Sequence, residues 1–63
     1  MYLVARDSPA KPDDRSVCFD TRKRAELYAA FFSSLTDDVW AVFALENDES
    51  PRFVSAFETG SEL

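Results

Sequence analysis

Sixty-three residues carry a net charge of −5, an apolar fraction of 46% that includes six Phe, two Tyr and one Trp, a single cysteine and no histidine. An intramolecular disulfide is therefore impossible and a Cys/His zinc site is excluded, while the apolar content argues against a disordered chain. A domain this small buries only about 60% of the surface its unfolded chain exposes, so a hydrophobic core or a partner chain has to stabilise it.

No apolar run approaches the ~18 residues of a membrane span. The N-terminus lacks the basic segment and apolar core that mark a secretory signal. One domain over residues 1–63, cytoplasmic and without membrane contact, is the expectation.

Tyr2-Leu3-Val4-Ala5-Arg6 is β-branched and aromatic enough for a strand, ended by Asp7-Ser8-Pro9 because proline cannot donate to a ladder. Residues 7–14, with two prolines and three aspartates, read as a loop. Arg15-Ser16-Val17-Cys18-Phe19 suggests a short second strand with Val17 and Phe19 turned to the core; if it is irregular, the order is βαββ rather than ββαββ. Asp20 and Thr21 both suit a helix N-cap, since their side-chain oxygens accept an orphan backbone N–H. The helix runs to Leu35, and Ala25, Tyr28, Ala29, Phe32 and Leu35 follow helical spacing toward a sheet. Leu27 and Phe31 widen that stripe as an i,i+4 pair. Ser33-Ser34 weakens the last turn and Thr36-Asp37-Asp38 ends it.

Val39 to Glu46 and Arg52 to Glu58 read as strands joined by Asn47-Asp48-Glu49-Ser50-Pro51, all but Glu49 turn-forming residues. A symmetric closure puts Glu46 opposite Arg52, Leu45 opposite Phe53, Phe43 opposite Ser55 and Ala41 opposite Phe57. That face, with Val39, is expected under the helix. Trp40, Val42, Ala44, Val54 and Ala56 then form a second apolar face, exposed or covered by another chain. Residues 60–63 read as a frayed tail. The fold class is α+β: a small antiparallel sheet, ββαββ or βαββ, with one helix packed on one face.

Charge is divided unevenly. Residues 1–31 hold six basic and five acidic side chains, whereas residues 32–63 hold seven acidic ones against Arg52 alone. Each acid taken singly suits a solvated turn or strand end, but unbalanced charge of one sign costs stability by self-repulsion. As a group they suit a surface presented to a basic partner. A nucleic-acid mimic needs carboxylates repeated along that surface, because DNA carries a charge every ~1.7 Å of its axis. Arg22-Lys23-Arg24 opposes the helix dipole; compensation by Asp20, Glu26 or Asp13-Asp14 is expected, since three cations are a poor nucleic-acid footprint.

Trp40 fits two roles equally, a core residue under the helix end or an apolar anchor for a partner. Cys18 reads as a small buried hydrophobe; without histidine it has no ready base. Asp13-Asp14 and Asp37-Asp38 lack a calcium-loop pattern, and the single glycine, in the tail, excludes a phosphate-cradling loop. No catalytic, metal or cofactor site is expected.

The run Phe19-Asp20-Thr21-Arg22-Lys23-Arg24-Ala25-Glu26-Leu27-Tyr28-Ala29, entering a helix from a strand, and the acidic second half together resemble the small anti-CRISPR proteins of bacteriophages and mobile elements. The resemblance covers the whole chain in size and charge. It implies binding to a Cas effector subunit, at a basic surface that handles target DNA, with a type I Cascade complex as the specific expectation. The function expected is stoichiometric inhibition without catalysis in a bacterial cytoplasm, with Asp37, Asp38, Glu46, Asp48, Glu49 and Glu58 supplying charge and Trp40 an anchor. The alternative is a structural or regulatory module that homodimerises through its uncovered sheet face. Neither expects direct nucleic-acid binding.

Overall fold

The computed structural model describes residues 1–6, 16–36, 38–46 and 50–63. Strands β1 (Tyr2–Arg6) and β2 (Val17–Phe19) precede helix α1 (Arg22–Leu35), and β3 (Trp40–Ala44), β4 (Arg52–Glu58) and β5 (Ser61–Glu62) follow it. All strand pairs are antiparallel, in the order β2-β1-β3-β4-β5. The α+β class and the ββαββ order hold, with one strand more than expected. The predicted loop at residues 7–14 lies outside the described residues. Among the described residues no helix is long and apolar enough to cross a membrane.

The extra strand is the predicted tail. Thr59 and Gly60 both have positive φ, 51° and 85°, the pairing of a type I′ hairpin turn that matches the twist of the flanking strands. Glu58 then faces Ser61 and Phe57 faces Glu62, and the Leu63 N–H donates to the Ala56 carbonyl at 2.9 Å.

Thr21 caps the helix, its Oγ1 accepting from the Arg24 N–H at 3.2 Å. The face turned to the sheet differs from expectation. Ala25, Ala29 and Ser33 are its buried residues, while Tyr28, Leu27, Phe31 and Leu35 are exposed and Phe32 is half-buried. Volume complementarity accounts for the roll, because interiors pack at the density of organic crystals. The sheet presents bulk in Val4, Trp40, Val42 and Phe57, and a line of small residues brings the helix down onto it.

Register decides what the sheet presents. Trp40 pairs with Phe57, Ala41 with Ala56 and Val42 with Ser55, one residue from the symmetric closure. A one-residue slip turns side chains to the opposite face. Trp40 and Val42 therefore lie under the helix, and Ala41 and Phe43 lie on the opposite face with Leu3, Ala5 and Ala56, where Ala5, Ala41 and Phe43 form a second buried cluster. Beyond Val42 a bulge leaves Val54 unmatched, so Phe43 pairs with Phe53 and Ala44 with Arg52. Phe57 and Ser55 remain on the helix side as expected. Phe53 stands on the face away from the helix with its ring edge-on to Phe43, centroids 6.0 Å apart.

Candidate functional site

The expected site is acidic, and the structure divides it. Asp38 stands two residues before Trp40 and Glu58 one after Phe57, and those two residues are paired. Glu62 faces Phe57 from β5. Asp38, Glu58 and Glu62 thus collect at one end of the β3–β4–β5 sheet. Glu46 lies past the opposite end of β3, a five-residue strand or roughly 17 Å away. Asp37, Asp48 and Glu49 lie outside the described residues. The described carboxylates form two groups rather than one line.

Two of them have close cations. Arg6 Nη1 donates to Asp38 Oδ2 at 3.0 Å, joining the end of β1 to the segment entering β3. Arg52 Nη2 donates to Glu46 Oε1 at 2.9 Å, so the expected pair forms although Ala44 is the backbone partner of Arg52. The Arg52–Glu46 pair is exposed and contributes little stability, the Arg6–Asp38 pair is part-buried, and both reduce the local negative potential. Glu58 and Glu62 are exposed, with no salt bridge among the described residues.

The anchor role of Trp40 is corrected. Its side chain is 1% exposed and packs on Phe32 at 5.0 Å between centroids. Its indole N–H donates to Thr36 Oγ1 at 2.9 Å, and that hydroxyl donates to the Phe32 carbonyl at 3.0 Å. The register of β3 against β4 puts this indole under the helix, where it closes the C-terminal end of the core. Cys18 is also corrected: it is an exposed free thiol, opposite Leu3 on the edge strand β2.

Among the described residues the basic first turn is compensated only in part. Arg22 Nε donates to Glu26 Oε2 at 3.3 Å, and the same oxygen accepts from Ser55 Oγ at 2.8 Å, tying helix to β4. Among the described residues no carboxylate pairs with Lys23 or Arg24. Asp20 and Glu26 leave them uncompensated, and Asp13-Asp14 lies outside the described residues.

A different surface was missed at the level of sequence. Leu27 is 63% exposed, Phe31 54% and Leu35 66%. They share one row at a spacing of four, and Tyr28 flanks it. Two shallow apolar depressions border the row, one of about 270 Å³ lined by Leu27, Tyr28 and Phe31, the other of about 340 Å³ lined by Val17, Phe32, Leu35, Thr36 and Trp40. The signal was present as two overlapping apolar stripes on one helix; only packing decides which stripe faces inward. Among the described residues no three or more Cys, Asp or Glu side chains converge to hold a metal ion. Compared with protein-family models, curated proteins and solved structures, the chain matches none.

Proposed function

We infer that this protein acts by occupancy, binding a basic surface on another macromolecule without catalysis. The observation that supports this is the charge of residues 32–63, seven acids against one base. Glu58 and Glu62 present their charge directly, and Asp38 and Glu46, although ion-paired, keep 38% and 57% of their side chains exposed. Asp37, Asp48 and Glu49 add to the same half by sequence. A positive patch meeting such a half gains chiefly in association rate and specificity.

The specific reading follows from the resemblance to anti-CRISPR proteins: the basic partner is the target-DNA site of a Cas effector, in a type I complex of a bacterial cytoplasm. The two separated acidic groups suit two contacts on a basic groove better than a continuous copy of a DNA backbone. Binding to a purified type I effector complex tests it. Affinity is expected to fall at least about tenfold as ionic strength rises from ~0.05 to ~0.3 M, and further when Asp48→Lys, Glu49→Lys and Glu58→Lys are combined. Binding that ignores salt and survives the reversals contradicts it.

A second reading, self-association through the sheet face away from the helix, is favoured by Phe53, which is 61% exposed beside Phe43. Trp40 has no part in that face; Phe53, Leu3 and Ala56 are its accessible residues, and Ala5, Ala41 and Phe43 are buried beneath them.

A further inference from the structure

Two residues along a helix turn through about 200°. The row Leu27, Phe31, Leu35 is offset by that amount from the buried line Ala25, Ala29, Ser33, so it points away from the sheet. A helix normally keeps its outward face polar. Here that face carries three exposed large apolar side chains in one row, Leu27, Phe31 and Leu35, and Arg24, three residues before Leu27, continues it toward the N-terminus.

We propose that the outer face of α1 is the contact between two copies of this chain, packed as antiparallel helices about a two-fold axis at Phe31. This goes beyond the acidic-surface reading and stands on different residues. Rows at a spacing of four are the ridges that interdigitate when helices pack, and a two-fold contact requires a self-complementary row. With the axis at Phe31, the two Phe31 rings meet, and Leu27 of each copy meets Leu35 of the other. The depression beside Leu27, Tyr28 and Phe31 lies where that leucine arrives.

Area and charge both select a second copy. The exposed parts of Leu27, Tyr28, Phe31 and Leu35 amount to roughly 450 Å² per protomer, or about 900 Å² for the pair, just under the ~1,000 Å² lower bound of a specific interface. A polar rim adds to it. The helix has no acid in its first turn and no base in its last, so Arg22, Lys23 and Arg24 oppose their own dipole. An antiparallel neighbour reverses that relation. It brings the negative C-terminal end of the second helix beside Lys23 and Arg24, the cations that lack a described carboxylate.

Sedimentation equilibrium over about 1–500 μM tests this with the full chain. The wild type is expected to shift from monomer to dimer across that range. Phe31→Glu and Leu27→Glu each weaken dimerisation at least tenfold while circular dichroism stays native, because both side chains point outward. Arg24→Glu weakens it less, and Phe53→Glu on the sheet face away from the helix leaves it unchanged. A wild type that stays monomeric throughout overturns the proposal and leaves the helix row to a partner of another kind. Dimerisation lost in Phe53→Glu but kept in Phe31→Glu overturns it in favour of the sheet face. Effector binding by the Phe31→Glu monomer tests the acidic reading separately.

Discussion

Ser33 shows how one residue can carry more than its local propensity suggests. Inside a helix, serine competes for backbone hydrogen bonds and is a weak former. This one is fully buried, donates to the Ala30 carbonyl at 2.8 Å and accepts from the Gly60 N–H at 2.9 Å. It therefore fastens the β4–β5 turn to the helix. Replacing Ser33 with Ala leaves the Gly60 amide without that acceptor, and urea denaturation should register a loss of about 1–2 kcal/mol. Replacing the exposed Ser34 with Ala should change stability by less than about 0.5 kcal/mol. The role of Ser33 was illegible in sequence because its partner is 27 positions away. Thr21 was legible, since a capping residue acts on the helix that starts beside it.

Elements were legible where a local pattern was enough to set them. The helix, the first strand and the two strands after the helix follow from periodicity and bounding turn residues, and they stand where the pattern places them. The last hairpin does not announce itself, because Thr59-Gly60 lacks the Asn-Gly or Asp-Gly signature of a two-residue turn. Its glycine is specific all the same. At φ +85° an added Cβ is strained and stands 3.4 Å from the Ser34 Cβ. Gly60→Ala is expected to cost about 1–2 kcal/mol and to speed hydrogen exchange at Leu63, whose amide holds β5 to Ala56. Faces were less legible than elements. The bulge at Val54 and the one-residue slip of β3 against β4 depend on how Trp40 and Phe57 fill the space under the helix, and alternation within one strand does not encode that.

At the scale of the molecule, the packing that builds the core also sets what the surface displays. Small residues bring α1 close to a bulky sheet, and the same rotation carries Leu27, Phe31 and Leu35 outward. The acidic half was legible as composition but not as geometry, since register sends Asp38 and Glu58 to one end and Glu46 to the other. A domain of 63 residues has a small stability margin, about 0.05–0.15 kcal/mol per residue, so association through the helix contributes to folding as well as to assembly. Thermal unfolding across a hundredfold range of protein concentration reads that coupling most directly. Association by the native state alone makes the midpoint concentration-dependent. For the wild type it should rise by roughly 5–10 °C across a range where the dimer predominates, and for Phe31→Glu it should stay constant. A wild-type midpoint independent of concentration, at levels where two copies ought to meet, would contradict the account.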